Sequence, residues 1–243
     1  MSATTPSYSP QPWARTGGAA YLVIIVLGFA GEMLIRNKLI VSGDPAATAQ
    51  NILMHPLLWR LGIAGDITMH ICDAVVGIVY YVLLKQVNRN LALMALFLGL
   101  VQTAVLVANK MNLVMPILLL GNGAYLKTLG QQQLEILAYL AIKAHGYGFG
   151  IGLIFFGCEC LLDGWLIIKS GYFPRVLGIM IQIAGCCYLL NSFALILSPA
   201  LADSLFPVIL LPPFIGELSM ALWLLFKGVN LVNWEKRLRP ETS

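Results

Sequence analysis

Charged residues are scarce in this chain of 243 residues. Asp, Glu, Lys and Arg supply 11% of the sequence, whereas hydrophobic residues supply 59%. A soluble globular domain carries about 25% charged residues. Apolar runs of about 18 or more residues recur along the chain, and such a run can cross a bilayer as a helix. The composition therefore excludes a soluble domain and predicts a multi-pass membrane protein. The runs are continuous and do not alternate, which also excludes a membrane β-barrel.

Side chains spaced for metal, redox or nucleotide chemistry are also lacking. The chain has three histidines and five cysteines. No two cysteines form a C-x-x-C pair, so neither a zinc ribbon nor a redox motif is indicated. Walker, Rossmann and G-x-S-x-G signatures are absent, and the sequence identifies no cofactor. The net charge of +4 reports membrane topology, so the expected partner is a lipid bilayer and not nucleic acid.

The apolar runs predict six transmembrane helices, at residues 18–34, 57–84, 91–120, 145–168, 176–197 and 206–229. We expect an all-α membrane protein, a six-helix transmembrane bundle with a short amphipathic surface helix between spans 1 and 2. That surface helix covers residues 45–54, with Asp44 as its N-cap and Pro45 as its first residue. Residues 131–144 are predicted to form an amphipathic segment leading into span 4. The expected domains are a polar tail (1–16), one six-span membrane domain (17–230) and a basic tail (231–243).

Lysine and arginine are distributed unequally between the two ends of the predicted bundle. Nine lie at the end that holds the termini: Arg15, Lys85, Arg89, Lys169, Arg175, Lys227, Lys236, Arg237 and Arg239. Five lie at the opposite end: Arg36, Lys38, Arg60, Lys127 and Lys143. Because cytoplasmic loops carry the excess of Lys and Arg, we expect both termini in the cytoplasm.

Span 2 carries three ionisable residues on one face. Asp66, His70 and Asp73 fall within about 60° of one another on a helix of 3.6 residues per turn. Ionisable groups inside a membrane are costly, so by default they mark a functional site or an internal polar contact. The i, i+4 spacing of Asp66 and His70 is also compatible with a metal ion. Three histidines are few for a zinc site, which makes these two residues weak candidates.

Further acids are predicted inside spans 4 and 6. Glu159 lies deep in span 4, whereas Asp163 is placed near the cytoplasmic end, within reach of water. Glu217 lies near the middle of span 6, about one turn after Pro212 and Pro213. Because proline removes a backbone donor, these prolines are predicted to break the helix and to build a polar pocket beside Glu217.

A lysine is predicted at the depth of two of the acids. Lys110 in span 3 lies at the level of Glu32 and Asp66, and pairing with one of them would neutralise both charges. The alternative is that Lys110 extends to the outer surface. Asn191 in span 5 can join the same layer as a hydrogen-bond donor.

Glycines accompany the polar faces of spans 2 and 4. Gly62 and Gly77 lie in line with the acids of span 2, and Gly148-x-x-x-Gly152 lies on the acidic face of span 4. Small residues four apart let two helices approach closely. We therefore expect spans 2 and 4 to meet along these faces.

Several segments of the sequence resemble a bacterial family known only as domain of unknown function four-three-eight-six. The segments are VNRNLAL from Val87, HGYGFGIGL from His145, PRVLG from Pro174, NSFA from Asn191 and FPVILLPPFIGEL from Phe206. The spacing of Asp66 and Asp73 is similar too, and the resemblance covers residues 15–229. It implies a multi-pass protein of the bacterial cytoplasmic (inner) membrane. The family carries no established activity, so the resemblance assigns no catalytic residue.

Three functions are compatible with these patterns. The first is binding or movement of a small solute or proton at an internal polar site, with Asp66, His70, Asp73, Lys110, Glu159, Asn191 and Glu217 as candidate residues. A carboxylate in a dry site exchanges protons near neutral pH, as a proton-linked carrier requires. The second is an intramembrane enzyme acting on a hydrophobic substrate, with or without a metal. The third is a structural subunit whose polar residues hold the helices in register. The sequence leaves the oligomeric state open.

The predicted topology can be tested with reporter fusions. Reporters placed after Leu120 and after Ser198 should both report the outside of the cell, because each follows an odd number of spans from a cytoplasmic terminus. A cytoplasmic signal from either fusion would contradict the topology.

Overall fold

The computed structural model describes residues 9–121 and 123–238, and it is all-α over these residues. Six helical segments are long and apolar enough to cross a membrane: Gln11–Leu39, Pro56–Leu84, Arg89–Leu119, Gln131–Ser170, Arg175–Leu197 and Val208–Phe226. We call them spans 1 to 6. The end of the bundle where spans 1 and 6 meet the termini is called the terminal end, and the opposite end the far end. The expected six-span, all-α membrane fold is confirmed.

Both predicted tails lie partly outside the described residues. Residues 1–8 of the N-terminal tail are outside, and span 1 begins at Gln11, within the tail expected over residues 1–16. Of the basic C-terminal tail, residues 239–243 with Arg239 are outside. Residues Leu231–Leu238 form a helix. Within that helix, Trp234 is buried and packs edge-on against Tyr172, so this part of the tail is docked on the terminal end.

The outer surface of the spans is apolar. Large side chains such as Leu57 and Phe226 are about 70% exposed (69% and 71%). A soluble protein rarely exposes large contiguous apolar surfaces, whereas a bilayer accepts them. The exposed belt therefore faces lipid.

The predicted surface helix is present over Pro45–Met54. Its N-cap is Asp44, whose side chain accepts a hydrogen bond from the Ala47 N–H at 2.9 Å. The residue before the cap, Gly43, donates its N–H to the Tyr139 hydroxyl at 2.8 Å. This contact fixes the surface helix to the far end of span 4.

The six spans form a closed ring. Each span packs against the next in sequence, and span 6 returns to pack against span 1. Spans 2 and 4 are not neighbours in the ring and make few direct contacts. Side chains pointing inward from all six spans therefore converge on one central space.

The prediction that spans 2 and 4 meet directly is wrong, because span 3 lies between them. A Cβ on Gly77 would meet Leu96 of span 3. Cβ atoms on Gly148 and Gly152 would meet Asn109 and Leu106 of the same span. Gly77, Gly148 and Gly152 do mark close helix contacts, but with span 3 as the shared partner, whereas Gly62 faces Ile35 of span 1.

Two spans differ in detail from the helices expected from the sequence. Span 3, expected as one run over residues 91–120, is interrupted at Lys110, between helices Arg89–Asn109 and Met111–Leu119. In span 6, a 3-10 turn at Val208–Leu210 precedes the helix Leu211–Phe226, and Pro212 and Pro213 lie in its first turn. The first turn of a helix has no need of their missing donors, so these prolines begin the helix and do not break it.

Spans 4 and 5 pack closely through facing glycines. A Cβ on Gly164 would lie 2.6 Å from the Gly178 carbonyl oxygen, and a Cβ on Gly178 would lie 2.5 Å from the Gly164 carbonyl oxygen. The two backbones thus touch directly, which only glycine permits.

We expect Gly164→Ala to destabilise the protein by about 1–3 kcal/mol, because the added methyl group must push two backbones apart. Gly146→Ala is the matched control in the same span, since a Cβ there meets nothing within 4 Å. Thermal unfolding of the purified protein in detergent should show a lower midpoint for the first variant only. Equal midpoints would contradict the close packing.

Candidate functional site

The polar side chains inside the bundle form two groups, one in the far half and one at the centre of the ring. The first group, called the charge cluster, consists of Glu32, Arg36, Asp66, Lys110 and His145. The second lines a cavity at the centre of the ring. The two groups differ in how their charges are balanced.

Asp66 is the centre of the charge cluster and is fully buried. Its Oδ2 atom accepts hydrogen bonds from Arg36 Nη1 and from Lys110 Nζ, both at 2.9 Å. The expected pairing of Lys110 with an acid is present. Arg36 is a second cation that donates to the same oxygen. From the sequence, it was counted among the residues at the far end, outside span 1.

Glu32 and His145 are the remaining members of the charge cluster. Glu32 accepts a hydrogen bond from Arg36 Nε at 2.7 Å and is half exposed. Lys110 Nζ lies 3.3 Å from His145 Nε2, which accepts a hydrogen bond from the ammonium group when the neutral imidazole carries its proton on Nδ1. Two acids thus meet two cations, and the cluster joins spans 1, 2, 3 and 4 without net charge.

His70 and Asp73 form a pair one turn further along span 2. The His70 Nδ1 atom lies 2.8 Å from Asp73 Oδ2. A carboxylate accepts only, so it favours the tautomer with the proton on Nδ1. The Nε2 atom of His70 is then a bare acceptor, and it is buried without a hydrogen-bond partner.

A cavity of about 140 Å³ lies at the centre of the ring, and every span contributes to its wall. Its titratable lining residues are Tyr21, His70, Asp73, Tyr80, Glu159, Cys160, Asp163, Tyr188 and Glu217. Among the described residues, no lysine or arginine lines it. Four carboxyl groups therefore share one cavity without a permanent cation.

Two of these acids have no hydrogen-bonding neighbour. Glu159 and Asp163, one turn apart on span 4, are 7% and 3% exposed. Within the described part of the chain, no side chain donates a hydrogen bond to either. The Glu159 carboxyl lies against Gly99 of span 3, where a Cβ would come within 2.5 Å of its oxygen. Gly99 leaves space for the Glu159 carboxyl group but has no side chain that could bind it or balance its charge.

Glu217 lies between the central cavity and a second, larger one. It accepts a short hydrogen bond from the Tyr188 hydroxyl, and the Tyr21 hydroxyl is also within hydrogen-bonding reach. The second cavity, here the side cavity, measures about 480 Å³ and shares Tyr188 and Glu217 with the first. Its wall includes the largely exposed Phe29 and Phe206, so it opens to the surface of the bundle.

The predicted candidates therefore divide between the two groups. Asp66 and Lys110 belong to the charge cluster, and His70, Asp73, Glu159 and Glu217 line the central cavity. Asn191 lines the side cavity and makes no hydrogen bond to the charge cluster within the described residues.

The placement of Asp163 at the membrane surface is wrong, because it is buried on the cavity wall. Span 4 is one helix of 40 residues, Gln131–Ser170, so it continues beyond Asp163 by nearly two turns. Sequence reasoning also missed the tyrosines Tyr21, Tyr80 and Tyr188. A tyrosine within an apolar run cannot be recognised as a site residue from the sequence. Its position becomes clear only from the closed ring of six spans, which turns its hydroxyl group inward.

The metal alternative for Asp66 and His70 is not favoured by the contacts of these residues. Asp66 is occupied by Arg36 and Lys110, and His70 turns to Asp73. Across the described ranges, no group of three His, Cys, Asp or Glu side chains is arranged to hold a metal ion.

Comparison with known proteins places this architecture in a family. The family model described as "Domain of unknown function (DUF4386)" matches residues 16–228. An uncharacterized protein of Archaeoglobus fulgidus is 29% identical over 170 residues, which is 70% of this chain and 85% of that protein. No solved structure is significantly similar.

We expect Asp66→Asn to destabilise the fold by about 3–5 kcal/mol, because it leaves the buried Lys110 without its anion and Arg36 with only the half-exposed Glu32. Glu32→Gln is the control, since its half-exposed pair with Arg36 contributes about 0–1 kcal/mol. The fraction of monodisperse protein after heating in detergent measures both. A heat-resistant Asp66→Asn variant would contradict the central role of Asp66.

Proposed function

This chain belongs to the DUF4386 family, and we propose that it binds a small solute or protons in the central cavity and moves them across the membrane. The observation that carries the proposal is the composition of the cavity wall. All six spans contribute to one cavity, and it collects four carboxyl groups with no lysine or arginine among the described residues.

The unpaired acids argue against a purely structural role. A polar residue that holds helices together forms a hydrogen bond to a neighbouring helix. Asp66 does this through Arg36 and Lys110. Glu159 and Asp163 have no such bond, so burying them costs free energy without joining helices. Such a cost is usual at a site that handles a ligand or a proton.

Carboxyl groups in a dry site are suited to carrying protons. Low polarity disfavours the charged form, so such a group can hold or release a proton near neutral pH. His70 adds a second type of carrier, because Asp73 fixes its tautomer and leaves Nε2 free on the cavity wall. A chain of groups that alternately bind and release a proton is typical of pumps and carriers.

The side cavity supplies an access route. It opens to the surface of the bundle near the far end and meets the central cavity at Glu217 and Tyr188. With both termini in the cytoplasm, as the distribution of Lys and Arg predicts, this opening faces away from the cytoplasm. A solute entering there would reach Glu217 first and the deeper acids afterwards.

The proposal is tested in proteoliposomes that contain a pH-sensitive dye. An imposed pH gradient should collapse faster with the wild-type protein than with the double variant Asp73→Asn and Glu159→Gln, which keeps the side-chain shapes and removes two titratable groups. Glu235→Gln, on the exposed face of the C-terminal helix, should behave as wild type. All variants must first elute as folded protein.

Two results would contradict the proposal. One is a gradient that collapses no faster with wild-type protein than with empty liposomes, together with no solute uptake. The other is a double variant with full activity.

A further inference from the structure

We propose that the ligand of the central cavity is a small organic ammonium ion with an apolar body, whose charge supplies the cation that the cavity acids lack. The inference rests on the proposed function and names its solute class. It follows from a comparison of charge, hydrogen bonding and shape within the cavity.

The first argument is the contrast between the two polar groups. In the charge cluster, Arg36 and Lys110 balance the acids from within the protein. In the central cavity, the described part of the chain offers no lysine or arginine to four carboxyl groups. A buried carboxylate needs a partner of opposite charge or a proton. An ammonium ion entering the cavity would provide that partner.

The second argument comes from buried polar atoms that have no partner. His70 Nε2 and the Tyr80 hydroxyl are both buried without a hydrogen bond, and both residues line the cavity. Buried polar groups are nearly always satisfied by protein, water or ligand. An ammonium group donates up to three hydrogen bonds, and both atoms can accept one. Neither atom belongs to a carboxyl group, although His70 Nε2 is an acceptor because Asp73 binds the opposite ring nitrogen. Both atoms favour a hydrogen-bond donor in this cavity.

The third argument is the aromatic character of the wall. Phe156 and Tyr188 form a tilted pair with ring centroids 5.3 Å apart, and Tyr21 and Tyr80 form an edge-on pair at 6.5 Å. All four residues line the cavity. Aromatic faces attract cations, and aromatic cages recognise ammonium groups in many proteins. The remaining wall is largely aliphatic, so it suits an apolar body attached to the charge.

The size of the cavity limits the ligand. An apolar cavity of about 150 Å³ accommodates benzene, and the central cavity measures about 140 Å³. The volume matches a benzene ring, and the adjoining side cavity at Glu217 and Tyr188 leaves room for a short charged substituent. Benzylammonium, a ring with one methylene and one charge, is an appropriate probe. Benzyl alcohol has nearly the same shape without charge, and benzoate has the opposite charge.

The test is equilibrium dialysis of the full-length protein in nanodiscs against each of the three probes, with empty nanodiscs as the blank for membrane partition. We expect saturable binding of benzylammonium, at least tenfold weaker binding of benzyl alcohol and none of benzoate. Glu159→Gln should weaken benzylammonium binding about tenfold or more, because it removes one partner of a desolvated charge pair. Glu235→Gln should leave it unchanged.

Three outcomes would overturn the inference: no saturable benzylammonium binding, equal binding of benzyl alcohol, or full binding by a folded Glu159→Gln variant. Each is distinguishable from a failure of the proposed function, because proton flux through the same acids is measured separately in proteoliposomes. Proton flux that depends on Asp73 and Glu159, together with no benzylammonium binding, would support the proton site and contradict the organic cation as its ligand.

Discussion

The double hydrogen bond from Arg36 and Lys110 to one oxygen of Asp66 is the interaction on which the bundle depends. It joins spans 1, 2 and 3 at the fully buried carboxyl group of Asp66, and the contact between Lys110 and His145 extends it to span 4. In hydrocarbon, none of these charges could be buried alone. Each is tolerable only because the others are present, so the four helices are held in one arrangement.

In the central cavity, by contrast, the described residues offer the acids no lysine or arginine, and this difference bears on function. The charge cluster shows that the sequence can neutralise a buried acid from within the chain. About four helical turns from His145 along span 4, the same bundle leaves Glu159 and Asp163 without side-chain donors among the described residues and places glycine, at position 99, against one of them. A group whose partner is absent from the protein is available to a partner that comes and goes. This availability is what distinguishes a binding site from a structural contact.

Features set by local sequence patterns were predictable from the sequence. Features that depend on how the six spans close into a ring were not. Continuous apolar runs defined the six spans, and an Asp-Pro pair defined the start of the surface helix. The cost of burying charge was sufficient to expect Lys110 beside Glu32 or Asp66, and the structure selects Asp66. Helix order around the ring was not predictable, because the glycine pattern indicates close packing without naming the partner. Arg36 was counted as a loop residue because the apolar run before it ends at Ile35, whereas span 1 continues to Leu39.

Whether water and small cations reach the centre of the ring is the most direct test of this account. Thr103 lines the cavity, whereas Thr68 lies on the exposed, lipid-facing side of span 2. In a chain whose native cysteines are replaced by alanine, the thiol introduced by Thr103→Cys should react with cationic 2-aminoethyl methanethiosulfonate. It should react far more slowly with the anionic 2-sulfonatoethyl reagent, and the thiol introduced by Thr68→Cys should resist both. An unreactive thiol at position 103, or equal rates with the two reagents, would contradict an accessible, cation-selective cavity.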